Sequence, residues 1–410
     1  MTDITSSPFY SFWMAGYECS DKLNVFGNRV DFLNITGHLE LIYEDYARLK
    51  NFNISTVREG IRWSFVEKQP YVYDFSAVAE MIKAAKMYGI QQVWDLCHFG
   101  YPDDLTPLHP MFARRFAALC KAFVEFYRSI NPSETLIIIP INEVSFISWL
   151  GGEACGTAPY CNGFGWQVKY KLMKAYIEGV AVLKSMDNNL LILTSEPLVN
   201  MVPPESASEE EIVNAALEHQ FQFQAADMLC GKICPELNGQ PGYIDIIGLN
   251  YYYNNQWITG TTKFLGWNDE PKDSRWITLS HLINDVYKRY NKPVVITETS
   301  HPKEDRPIWI EDVTKQLIEV LHNNIPLWGA CIYPIIDRPD WNDLITWHNS
   351  GLWDVVNENG KLKRVLYQPF ANAFLQSQKK LKLNCGELTK QAAKKEIPEF
   401  NYTIELTANT

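Results

Sequence analysis

LIIIPINEVSF, residues 136–146, sets an unbroken apolar run directly against an amide and a carboxylate. A strand that is apolar at every position, rather than at every second one, suits a parallel sheet covered on both faces by helices. Asn142 and Glu143 at its end need partners, because neither group is stable alone in a dry interior. The run reads as a buried strand that delivers two polar groups to one edge of a sheet.

Seven further β-rich runs share this character: residues 9–16, 54–59, 91–97, 190–195, 243–252, 293–299 and 328–337. Between them lie apolar residues at spacings of three and four, the stripe a helix needs to cover a sheet. Examples are Leu39, Ile42, Tyr46 and Leu49; Phe112, Phe116, Leu119 and Phe123; Leu279, Leu282, Val286 and Tyr290; and Val313, Leu317 and Leu321. Eight such alternations predict an α/β fold of the (β/α)8 TIM barrel type. The alternative is a doubly wound open sheet, which usually carries a glycine-rich phosphate turn after its first strand. FWMAGYECSD, residues 12–21, has no GxGxxG, so the barrel is preferred.

At 410 residues the chain is long enough for one barrel, expected over 1–375 and followed by a lysine-rich, polar C-terminal extension over 376–410. A net charge of -11 argues against nucleic acid as a partner, since phosphate binding needs a concentrated basic surface. The N-terminus lacks a basic region followed by an apolar one, and no apolar stretch reaches the length of a membrane span. The expectation is a cytoplasmic protein with no membrane partner. Nine scattered cysteines lack zinc-site spacing and read as reduced thiols.

In a barrel, chemistry gathers at the C-terminal ends of the strands. Those ends are polar here: Arg58-Glu59, Asp95 and His98, Asn142-Glu143, Asn250-Tyr251-Tyr252, Glu298, and Asp337 to Trp341. Glu143 and Glu298 would face one another across the barrel mouth. Two carboxylates around one bond divide acid and nucleophile roles when their surroundings push their pKa values apart, which is glycosidase chemistry and needs no metal or cofactor. Arg58 and Tyr252 are placed to support one of the two as an anion.

These residues, in this order, resemble the clan A glycoside hydrolases, and most closely glycoside hydrolase family 1, the β-glucosidase family. VREGIRWSFVEKQP (57–70) is similar to the family's RFSxxWxRxxP, and VWDLCHFGYPDDL (93–105) to its HWDLPxxL. INEV resembles NEP, IGLNYYYN resembles GxNYY, VVITETS resembles ITENG, and GACIYPIIDRPDW resembles GYFxWSLLDNFEW. GLWDVVNENGKLKR resembles the closing FGLxxVDxxxxxR segment. The resemblance spans most of residues 10–370.

It implies Glu298 as nucleophile, supported by Arg58 and Tyr252, and Glu143 as acid/base. It implies His98, Asn142, Asp340 and Trp341 as ligands of the sugar, Phe99 as an aromatic wall, and Asn250 near the aglycone. Tyr333-Pro334 stands where the family has Trp-Ser, and Thr299-Ser300 follows the nucleophile position with His301 beyond. The family's glutamine after the first strand has no secure counterpart; Glu18 is the nearest polar candidate. Arg338 reads either as a partner for a uronic acid carboxylate or as an internal partner of Asp337 or Asp340. Trp13, Trp149 and Trp353 read equally as sugar platforms and as core.

The function implied is a retaining β-glycosidase acting on a small glycoside or oligosaccharide through a covalent glycosyl-enzyme intermediate. Two alternatives stay open: transglycosylation by the same two glutamates, and a sugar-binding barrel without turnover.

Overall fold

The computed structural model describes residues 6–386, and all eight apolar runs form strands. They are β1 (Trp13–Gly16), β2 (Thr56–Gly60), β3 (Gln91–Cys97), β4 (Leu136–Ile141), β5 (Leu190–Ile192), β6 (Glu196–Pro197), β7 (Ile247–Asn250), β8 (Val294–Thr299) and β9 (Leu327–Ile332). All pair in parallel, in the order β5-β4-β3-β2-β1-β9-β8-β7-β6.

The two ends of that order, β5 and β6, are consecutive in the chain. Between them Leu193 N donates to Ile138 O at 2.9 Å and Thr194 N to Ile246 O at 3.0 Å, so this segment is bonded on both sides. The sheet closes on itself. It is a (β/α)8 barrel whose fifth stave is broken into β5 and β6.

The covering helices follow the predicted stripes: α1 (His38–Leu49), α2 (Ser76–Tyr88), α3 (Phe112–Ile130), α4 (Gly165–Met186), α5 (Glu209–Gln220), α6 (Leu279–Tyr290), α7 (Arg306–His322) and α8 (Gln368–Cys385). Phe112, Phe116, Leu119 and Phe123 of α3 are all buried, as are Val313, Leu317 and Leu321 of α7. Leu39 and Tyr290 lie at the margins of their stripes and are only partly buried.

The alternation along β4 explains its unbroken apolar run. Ile137 and Ile139 point into the barrel, where they meet Val93, Leu193, Ile246 and Val295. Leu136 and Ile138 face the helices. Both faces are dry, and each buried isoleucine contributes about 1.5–3 kcal/mol relative to exposure.

Two features depart from the sequence reading. α8 runs straight through the expected boundary at 376, with Ser377, Leu381 and Cys385 buried, so these residues belong to the barrel's outer layer. The rest of the expected extension, 387–410, lies outside the described residues. The segment after the last stave also forms an antiparallel hairpin, β10 (Trp353–Glu358) and β11 (Lys361–Leu366), turned by Asn359 and Gly360 at φ 54° and 81°. Two such residues are what a tight hairpin turn requires.

Cys19, Cys97, Cys120, Cys155, Cys161, Cys230, Cys234 and Cys331 are free thiols. Among the described residues no helix is long and apolar enough to cross a membrane.

Candidate active site

The strand ends bring one network together at the C-terminal mouth of the barrel. Arg58, near the end of β2, is its hub. Its Nη1 donates to Glu298 Oε1 at 2.7 Å, its Nε and Nη2 hold Asp95 at 2.6 and 3.0 Å, and Nη2 also donates to Asn142 Oδ1 at 2.8 Å. The other oxygen of Glu298 accepts from Tyr252 Oη at 2.6 Å. Burial would disfavour the charged guanidinium, but Asp95 and Glu298 hold its pKa well above the usual value.

Glu143 has no such cation. It follows β4 at φ 44° and ψ 59°, a left-handed conformation that a residue with a Cβ seldom adopts, which turns its side chain into the mouth. Its Oε1 accepts from Asn250 Nδ2 at 2.9 Å. Burial, and then the charge of Glu298, push its pKa well above the carboxylate range; Glu196 adds to the rise, while Asn250 and Arg58 oppose it.

What holds Glu143 in place was not visible in the sequence. The backbone amides of Val144 and Ser145 donate to Glu196 at 2.6 and 3.1 Å, so a buried carboxylate from β6 caps the short helix that starts after Glu143. Ser195 Oγ donates to Asn142 Oδ1 at 2.6 Å, and Thr297 Oγ1 to Asn250 Oδ1 at 2.7 Å. Applying the strand-end rule to the run at 190–195 would have pointed to Ser195 and Glu196, because the polar residues follow the apolar ones there as elsewhere.

Asn250 spends its amide on Glu143 and Thr297, and the residue is 1% exposed. It acts on the carboxyl above it.

On the other side, His98 is flanked by Asn142, whose Nδ2 lies 3.3 Å from His98 Nε2, and by Tyr333, whose ring stacks parallel to it at 5.7 Å. Burial opposes protonation of His98, but Asp95 and Glu18 outweigh it and raise the pKa. Gly16 of β1 makes room for Tyr333, since a Cβ there would fall 2.1 Å from its Cδ2. Glu18 Oε1 lies 3.7 Å from His98 Nε2, and Glu18 accepts from Ser20 N at 3.0 Å and Ser20 Oγ at 2.5 Å.

Beyond Glu18 come the residues of the last loop. Arg338 pairs with neither Asp337 nor Asp340; its Nε lies 3.5 Å from Glu18 Oε2. Asp337 instead accepts the amides of Asn349 and Ser350, and Asp340 faces His348 at 3.6 Å. Trp341 meets Phe99 and Phe146, each with ring centroids 5.8 Å away, to form an aromatic wall. Lys22, which the sequence reading passed over, is 1% exposed, with Nζ 4.8 Å from the centre of the Trp341 ring. Burial lowers its pKa to about 8.

Trp13 packs on Phe374 and Trp353 on Phe52, both in the layer under the helices, so these two are core. Trp149 is 54% exposed and touches Phe146. His301 is fixed between Trp267 Nε1 at 3.2 Å and Pro302 O at 2.8 Å, and burial lowers its pKa. Cys19, Asp95 and His98 lie close enough to suggest a metal site, with ligand atoms within 4.8 Å of one another. Both oxygens of Asp95 are taken by the Arg58 guanidinium, whose charge repels a second cation, so the donor set does not fit one.

The barrel superimposes on a family 1 β-glucosidase from Thermotoga maritima with a TM-score of 0.70 over 92% of this chain and 99% of that one, at 17% sequence identity. The chain has the fold of the family 1 β-glucosidases. A β-glucosidase from Thermotoga maritima in complex with deoxynojirimycin gives 0.69 over 92% and 99% at 17% identity. A hyperthermophilic β-glucosidase mutant that forms a dodecameric structure in its crystal gives 0.68 over 90% and 99% at 14% identity. A scan of the sequence against protein-family models gives no match, and neither does a comparison with curated proteins.

Proposed function

We propose that the protein is a retaining β-glycosidase in which Glu298 is the nucleophile and Glu143 the acid/base. The observation that carries this reading is the unequal treatment of the two carboxyls. Glu298 accepts a hydrogen bond at each oxygen, one from a guanidinium, whereas Glu143 has no cation of its own and has its pKa pushed up by burial and by Glu298. That is the separation such chemistry needs.

In the first step Glu298 attacks the anomeric carbon and the bond to the leaving oxygen breaks, while Glu143 gives its proton to that oxygen. In the second, Glu143 takes a proton from water, whose oxygen displaces Glu298 from the same carbon. Two inversions give net retention, with the carboxyls expected about 5–5.5 Å apart. Arg58 and Tyr252 hold Glu298 in line, and Tyr252 also carries a pKa well above its usual value, through burial and Glu298, so it remains a donor.

Asn142 and His98, on the same side, are the proposed ligands of the sugar hydroxyls near the reacting carbon. Tyr333 supports His98, and Trp341, Asp340, Glu18 and Arg338 line the far end. A β-glucosidase neighbour is in complex with deoxynojirimycin, which supports a small sugar as the ligand.

Hydrolysis of a panel of aryl β-glycosides by the wild type, Glu298→Ala and Glu143→Ala tests the reading. Turnover is expected from the wild type and lost in Glu298→Ala. Folded wild-type protein that binds sugars and hydrolyses none of them would instead make the barrel a sugar-binding protein.

A further inference from the structure

Three donors with few acceptors cluster beyond Glu18 at the barrel mouth, two of them enclosed. Arg338 Nε and Trp341 Nε1 are enclosed and make no hydrogen bond, and Lys22 Nζ has no hydrogen-bond or ion-pair partner among the described residues. They form one cluster, since Lys22 Nζ and the Arg338 guanidinium lie 4.8 and 5.2 Å from the same Trp341 ring. A buried donor left unpaired costs about 1–3 kcal/mol, and native proteins keep few of them. Three together call for a ligand that brings acceptors.

The charges say which kind. The two carboxylates nearby are already served: Glu18 by Ser20, His98 and Arg338, and Asp340 by the amides of Asn342 and Asp343 and by His348. Lys22 makes no ion pair, though the charges of Glu18 and Asp340 favour its protonated form, and Arg338 has the long contact to Glu18 and one bond from Nη1 to Pro339 O at 3.1 Å. A neutral sugar hydroxyl both donates and accepts and brings no charge, whereas a carboxylate brings two acceptor oxygens and a negative charge that both cations can meet directly. The position fits one end of a sugar ring. Contacts run from Asn142, next to Glu143, through His98 and Glu18 to Arg338, so the cluster lies away from the reacting carbon.

We propose that the pocket takes a uronic acid glycoside, with Lys22 and Arg338 receiving the sugar carboxylate beside Trp341. The inference rests on the glycosidase reading above and names its substrate class.

The test compares kcat/KM for 4-nitrophenyl β-D-glucuronide, β-D-galacturonide, β-D-glucoside and 6-phospho-β-D-glucoside in the wild type, Lys22→Gln, Arg338→Gln and the charge-conserving Lys22→Arg. A uronide is expected to exceed the glucoside by on the order of tenfold to a hundredfold, the range of a charged hydrogen bond. That ratio should collapse in both glutamine variants and be partly restored in Lys22→Arg. A preference for the glucoside or the phosphoglucoside overturns the proposal, as does an equal fall for uronide and glucoside in the variants. If no substrate turns over, the glycosidase reading fails, and calorimetry decides the carboxylate site separately. Tighter wild-type binding of methyl β-D-glucuronide than of methyl β-D-glucoside supports it; equal binding, or none, overturns it.

Discussion

Arg58 and Glu59 are neighbours on β2, yet they anchor two buried charge clusters of opposite character. Side chains alternate across a strand, so Arg58 reaches into the barrel and Glu59 out toward α1. In the outer cluster His38 lies 2.9 Å from Asp45 and 3.0 Å from Glu59, Tyr46 donates to Glu59 at 2.6 Å, and Arg364 of the hairpin holds Asp45 at 2.9 and 2.7 Å. With Arg48, whose Nη1 donates to Asp45 at 3.1 Å, three cations answer two anions. In the inner cluster Arg58 serves Asp95 and Glu298, and Glu143 is left without a cation. A buried cluster whose anions are all paired joins parts of the fold; one that leaves a carboxyl unpaired favours its protonated form. On the function proposed above, that difference separates the structural cluster from the reactive one.

The largest effect expected from this contrast is on turnover. Glu298→Gln keeps the shape of the inner cluster and removes the proposed nucleophile, so kcat/KM should fall by on the order of 10⁴-fold or more while the melting temperature changes little. A loss of stability with activity retained would reverse the roles given to the two clusters.

The converse variant is His38→Ala. It leaves Asp45 and Glu59 facing each other with one cation fewer, and breaking such a buried set costs about 3–5 kcal/mol. Denaturant unfolding should show that loss, with kcat/KM of the folded protein unchanged.

A pH-dependent form of the same test is smaller. Burial opposes the charge on His38, but Glu59 and Asp45 overcome it and raise its pKa from 6.5 to about 8. A raised folded-state pKa contributes stability that is complete below 6.5 and lost as pH rises through about 8. The wild type should therefore lose about 2 kcal/mol over that window relative to His38→Gln, read as the difference between their unfolding free energies at each pH.

The smallest shift belongs to Glu196. Its charge raises the pKa of Glu143 and its oxygens pin the next two amides. In Glu196→Gln the pKa of Glu143 should drop, so the alkaline limb of kcat/KM against pH moves to lower pH. A limb that stays in place, with only stability reduced, would make Glu196 a helix cap alone.

The fold was legible because each stave is a contiguous apolar run, and dryness on both faces leaves little for side-chain alternation to obscure. Glu143, Glu298, Arg58 and Tyr252 were legible for a related reason: a charged or hydroxyl group next to such a run has few places to go. Lys22 was not, because a lysine between Asp21 and Leu23 looks like any solvated residue, and only the folded loop shows it enclosed beside Trp341. Glu196 was missed because the fifth stave breaks before it. Asn250 was found but not its partners, since sequence order shows which strand end carries an amide and not which neighbour consumes it. That α8 spans residue 376 was not legible, because lysines on its outer face mask the buried Ser377, Leu381 and Cys385.

The division of labour between Glu298 and Glu143 is tested most directly by the stereochemistry of azide rescue on an aryl β-glycoside with an activated leaving group. Azide should attack the anomeric carbon directly in Glu298→Ala and give the α-glycosyl azide. In Glu143→Ala it should attack the glycosyl-Glu298 intermediate and give the β-glycosyl azide. The reverse pairing, or rescue of neither variant despite wild-type turnover, would contradict the assignment.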